Sequence, residues 1–180
     1  TTKIVALVDA LGNLIRFLLL PGQAHDTKGV APLIRKVPFG ALLADKAFDA
    51  NWLLEELDAR GASAVIPPKS NRKQQRNYDA DAYKWRHMVE NYFAKIKEFR
   101  GVATRYDKTD CSYTANWNLA AALIASRCLS TGPRAFLQNW ESWDFQRGLV
   151  VIHPFREDGS CQHHYRMRCV RGSKLVSRRV

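Results

Sequence analysis

The 180-residue chain is 46% hydrophobic and 25% charged, enough for one domain with its own core and free of the compositional bias of a disordered protein. Its 28 Lys and Arg against 17 Asp and Glu give a net charge of +11, which points to a polyanionic partner, nucleic acid first. The longest apolar run, Leu119–Ala125, falls far short of the roughly 20 residues of a membrane span, and the four cysteines lack the dense spacing of a secreted disulfide scaffold; membrane-spanning and disulfide-stapled classes are therefore set aside.

In chain order, Ile4–Val8 and Leu14–Leu20 are β-rich apolar runs separated by a segment containing Gly12-Asn13, a hairpin signal. Pro21-Gly22 ends the second run, and Lys28–Lys36 predicts a short helix closed by Pro38-Phe39-Gly40. "ALLAD", Ala41–Asp45, reads as a buried strand. "DANWLLEELDARG" places Leu53, Leu54 and Leu57 at helical spacing, with Asp49 as expected N-cap and Gly61 as stop. "SAVIPP" supplies another strand, and the order β-β-α-β-α-β predicts an α/β domain with a mixed sheet.

Lys69–Asp81 is polar and basic without periodicity, hence a surface loop; Ala82–Phe99 and Ala115–Arg127 read as helices. Beyond Arg127 aromatics, arginines and breakers alternate with no sustained period, so residues 128–180 are expected to form a separate basic tail, disordered or of read-through origin. Its nine Lys and Arg against four acids leave residues 1–127 basic as well. Cys161, His163, His164 and Cys169 in this tail are zinc-type residues without a CxxC or HxxxH pair, and no metal site is expected there.

At about 100° per residue, Tyr83, Arg86, Glu90 and Lys97 share roughly a 60° stripe bordering the apolar face of their helix. The ordinary explanation is an i,i+4 ion pair, Arg86 with Glu90, flanked by two long side chains. Asp45 supplies a second carboxylate at a strand end, where α/β sheets commonly place ligands. Two such carboxylates can share Mg²⁺ or Mn²⁺ ions, which bind oxygen ligands together with substrate phosphates and assist in-line phosphoryl chemistry.

Four segments, "TTKIVALVDALGNLIRFLLLPGQAHD", "LLADKAFDAN", "VIPPKSNRK" and "HMVENYFAKIKEFRGVATRYDK", together with Tyr83-x2-Arg86-x3-Glu90-x6-Lys97, resemble the catalytic domain of bacterial insertion-sequence transposases of the DDE class over residues 1–127. The resemblance implies a ribonuclease-H-like mixed sheet with flanking helices, with Asp45 and Glu90 as the second and third catalytic, metal-holding acids. Tyr83, Arg86 and Lys97 would then contact DNA, joined by Arg72 and Lys73 of the basic loop. The implied cofactor is Mg or Mn, as two ions where three acids are present, and the implied partners are DNA at the transposon ends and target, in a bacterial cytoplasm and without a membrane. In that family the first acid ends a central strand upstream of the opening hairpin. The chain is thus expected to be N-terminally truncated, to leave two sheet edges without that strand, and to be inactive alone, with a homodimer or an upstream polypeptide as a further partner. Asp9, at the hairpin turn, and Asp26 are the local substitutes for the first acid, and turn chemistry accounts for Asp9 without catalysis. The alternatives are a non-catalytic basic DNA-binding domain and a decaying transposase remnant.

Overall fold

A computed structural model describes residues 2–73, 75–130 and 149–156. The hairpin forms as expected: β1 (Thr2–Asp9) pairs antiparallel with β2 (Leu14–Pro21). Gly12 takes φ +81° at the turn, where an L side chain is strained. Asp9 holds the turn with both carboxylate oxygens, Oδ1 accepting from the Leu11 and Asn13 amides at 2.9 and 2.8 Å and Oδ2 from Asn13 Nδ2 at 3.4 Å. Asp26 is likewise engaged, its Oδ1 lying 2.6 Å from Lys3 Nζ in a buried ion pair. Each candidate substitute for the first acid has a structural task of its own.

After a 3₁₀ turn at Asp26–Gly29 come α1 (Val30–Ile34), β3 (Ala41–Ala44), a 3₁₀ turn at Lys46–Phe48, α2 (Asn51–Ala59) and β4 (Ser63–Val65). Gly61, at φ +67°, provides the expected stop after α2. Asp49 is not the N-cap of α2: Ala50 holds that position, and the Asp49 carboxylate turns instead to the basic loop, where two arginines offer a stronger partner than a helix amide. The long helix expected over 82–99 is interrupted, as α3 (Ala80–Tyr83), a tighter 3₁₀ turn (Lys84–Arg86) and α4 (His87–Ile96). The short α5 (Arg100–Ala103) and the long α6 (Asp110–Ser130) follow.

The sheet has the order β2-β1-β5-β3-β4, and its central strand, β5 (Leu149–Arg156), comes from the segment the sequence sets apart as a tail. β5 runs antiparallel to β1 and parallel to β3, and β3 runs parallel to β4. The two edges expected to stand without a partner are thus joined by a strand from the C-terminal segment. Cys161, His163, His164 and Cys169 lie outside the described residues.

Strand alternation sorts the core onto two faces. Ile4, Ala6, Val8, Leu43 and Val151 pack under α4 and α6 with Val89, Tyr92, Phe93, Ile96, Tyr113 and Trp117. Val5, Leu7, Leu42, Ala44, Val150 and Ile152 pack under α1 and α2 with Leu33, Ile34, Leu53 and Leu57. The Tyr92 hydroxyl is buried there without a hydrogen-bond partner among the described residues. Tyr92→Phe is therefore expected to raise stability by about 1 kcal/mol, read from urea unfolding midpoints, since it removes a desolvated polar atom and no bond.

Candidate active site

Asp45 follows β3 directly, and because β3 lies between β5 and β4 with all four residues buried, the backbone delivering this carboxylate is held on both sides. Asp45 is itself buried and caps the following 3₁₀ turn, its Oδ1 accepting from the Lys46 amide at 3.0 Å. The same oxygen accepts from the Tyr83 hydroxyl at 3.3 Å. Burial foremost pushes the Tyr83 phenol up to about 12; the neighbouring Asp45 charge adds to this and Arg86 opposes it. The hydroxyl is therefore protonated at neutral pH and acts as donor.

From Tyr83 the contacts continue along the helical segment. The Arg86 guanidinium carbon lies 5.6 Å from the centre of the Tyr83 ring, a cation–π distance. Arg86 Nη2 meets Glu90 Oε1 at 2.7 Å, with the arginine side chain 13% and the glutamate 29% exposed. Asp45, Tyr83, Arg86 and Glu90 thus form one continuous chain of contacts from strand end to helix. The ordinary i,i+4 pair is present, and through Tyr83 it is tied to the strand-end carboxylate. Lys97 stands at the C-cap of α4, exposed, about two helical turns beyond Glu90.

Among the described residues no three or more His, Cys, Asp or Glu side chains gather in a way that could hold a metal ion. Glu90 is engaged by Arg86, and Asp45 by Lys46 and Tyr83. Asp45 and Glu90 are oxygen donors of the kind Mg²⁺ prefers, but two carboxylates so engaged do not by themselves make a metal centre.

The basic loop after β4 lies against the same end of the sheet, since β3 and β4 are parallel and the loop follows the C-terminal end of β4. Arg72, expected to face DNA, instead turns inward: its Nε meets Asp49 Oδ2 at 2.6 Å and its Nη2 meets Asn51 Oδ1 at 2.8 Å. Lys73 is exposed. Tyr78, at the end of the loop, packs edge-on against Tyr83 with ring centres 5.7 Å apart, joining the loop to the carboxylate site. Sequence reading missed Asp49, because an aspartate two residues before a helix looks like a cap, and its partners lie 20 and 23 residues away.

Among the described residues no helix is long and apolar enough to cross a membrane. No solved structure matches the chain significantly. The family described as "Transposase DDE domain" matches residues 1–125. A Brucella ovis protein named "Putative transposase for insertion sequence element IS6501" is 33% identical over 126 residues, covering 69% of this chain and 97% of that relative. The strand β5 lies outside the family match, whereas Asp45, Tyr83, Arg86, Glu90 and Lys97 all lie within it. On this match the chain belongs to the DDE transposase family.

Proposed function

We propose that the chain acts on DNA in transposition, with Asp45 and Glu90 as two of the acids of a strand-cleaving and strand-joining site and Tyr83, Arg86 and Lys97 beside them as DNA contacts. The observation that carries this reading is the contact chain Asp45–Tyr83–Arg86–Glu90, which links the two acids named from the resemblance through the two residues named with them. The sheet order supports a ribonuclease-H-like fold: a hairpin on one side of the central strand and the Asp45 strand parallel to it on the other. In this reading β5 stands where the family's first strand would.

DDE transposase domains generally work with divalent metal ions. The described residues offer two engaged carboxylates and no third acid beside them, so no metal-dependent step is derived from them; that the chain does not cleave DNA alone stays an expectation of the resemblance, in which the first acid lies upstream. What its own residues do is bind: Tyr83 keeps a proton toward Asp45, Arg86 holds Glu90 in place, and the basic surface attracts the phosphate backbone.

Fluorescence anisotropy with a labelled duplex tests this. Affinity is expected to fall steeply with salt, and Lys97→Glu to lower the logarithmic salt slope by about 1. Arg35→Glu, an exposed cation at the far end of β3, should leave the slope unchanged. Equal losses at the two positions would reduce the interaction to bulk charge and overturn the reading.

A further inference from the structure

The loop after β4 is organised around one buried acid. Asp49 is fully buried at its side chain; its Oδ2 accepts from the Lys69 amide at 2.9 Å and from Arg72 Nε at 2.6 Å, and Arg76 Nη2 lies 3.8 Å from its Oδ1. Arg76 also donates to the Ile66 carbonyl at 3.0 Å, which fastens the far side of the loop to the end of β4. Burial alone would raise the Asp49 pKa, but the Arg72 hydrogen bond, the Lys69 amide and the two guanidinium charges outweigh it and hold the carboxyl below its ordinary range. Asp49 therefore remains an anion at neutral pH and offsets part of the positive charge of the two arginines that face it.

The consequence is a division of labour among four cations in eight residues. Arg72 and Arg76 point inward to Asp49, whereas the ammonium groups of Lys69 and Lys73 have no acidic partner among the described residues. Lys69 and Lys73, with Asp49, Ala50, Asn51 and Arg72, line an open hollow of about 480 Å³. The hollow opens at the C-terminal ends of parallel strands, the end of the sheet that carries Asp45.

We propose that this hollow is a phosphate-binding site for the DNA backbone, that Lys69 and Lys73 are its contacts, and that Asp49 is the positioning residue that shapes it. The inference rests on the DNA-binding reading above and refines it: Arg72 is an internal strut, and Lys69 joins Lys73 as a contact. Two unpaired ammonium groups across a concave surface suit a diester oxyanion, and a loop clamped before binding loses less conformational entropy when DNA arrives.

The test uses the full chain, the double variant Lys69→Ala/Lys73→Ala, and Asp49→Asn. Acetylation of lysines by an amine-reactive reagent is followed by mass spectrometry with and without duplex DNA or inorganic pyrophosphate, beside anisotropy across a salt series. In the unaltered chain both probes should slow acetylation of Lys69 and Lys73 by ~5-fold or more, and leave Lys36 unchanged. The double lysine variant, altered only at the rim of the hollow, should lower the salt slope by about 1 to 2. Asp49→Asn should speed tryptic cleavage within 69–76, abolish protection of the two lysines, and reduce the slope no further when combined with the double variant. Tight, salt-dependent DNA binding with both lysines acetylated at unchanged rates, or with an unaltered slope in the double variant, would overturn the inference and leave the functional reading standing. Protection by pyrophosphate without DNA binding would instead overturn the functional reading and keep the oxyanion site.

Discussion

A chain ended at residue 130 is expected to lose its cooperative fold. Truncation removes β5, and with it the neighbour of both β1 and β3, so the sheet divides into a hairpin and a two-stranded parallel remnant with open inner edges. Val150, Val151 and Ile152 are buried to within 3% exposure. At roughly 1.5–3 kcal/mol for each buried aliphatic side chain, their loss costs about 5–9 kcal/mol, comparable with the 5–15 kcal/mol total stability of an ordinary domain. Circular dichroism should show a broad, non-cooperative thermal transition or a soluble aggregate. A point change tests the same assignment within the full chain, because Val151→Asp would place an unpaired charge in the core and should give a similar loss. A sharp melt within a few degrees of the full chain in both variants would remove β5 from the fold.

Asp26→Ala should be a strongly damaging change at a charged position away from the site. Lys3 Nζ is buried and lies 2.6 Å from both Asp26 Oδ1 and the Ala24 carbonyl. Removing the aspartate leaves an ammonium in the interior with one neutral acceptor, a situation that costs about 3–5 kcal/mol. The double variant Lys3→Met/Asp26→Leu should recover most of that loss, since it removes both charges and retains the volume. Urea denaturation of the two single variants and the double variant measures the coupling; additive losses would mean that the pair does not act as a unit.

Local signals made much of the fold legible. Gly12-Asn13 between two apolar runs announced the hairpin, "ALLAD" the buried strand and its terminal acid, and the leucines of 53–57 the helix face. The stripe on the 83–97 segment was legible in part: Tyr83, Arg86 and Glu90 are near neighbours, although a 3₁₀ turn at 84–86 breaks the uniform 100° spacing on which the stripe rested. The central strand was not legible. Its apolar run, Leu149–Ile152, is four residues long, with a proline two residues on, and proline argues against a central strand. The structure accommodates it because the β3 ladder ends at Ile152, so Pro154 stands opposite Val5 of β1 where β5 has passed the end of its other neighbour. Nor could periodicity distinguish Asp49, which serves a loop, from an aspartate that serves a helix, because the difference lies in arginines 23 and 27 residues away.

A sheet whose middle strand follows its four neighbours in sequence also sets a schedule for synthesis. Lys3 pairs with Arg156, and Ala44 with Ile152, so the two halves of the sheet cannot be joined until residues 149–156 have left the ribosome. At about 5–20 residues per second, the delay between the emergence of Ala44 and that of Ile152 is roughly 5–20 s. For that time β1 and β3 each present an open apolar edge in the nascent chain, the condition under which strands pair with the wrong neighbour. Such sequence-distant pairing also slows the final step relative to a domain built from local contacts. The yield of folded protein should therefore depend on translation rate and chaperone supply more steeply than its thermodynamic stability alone would suggest.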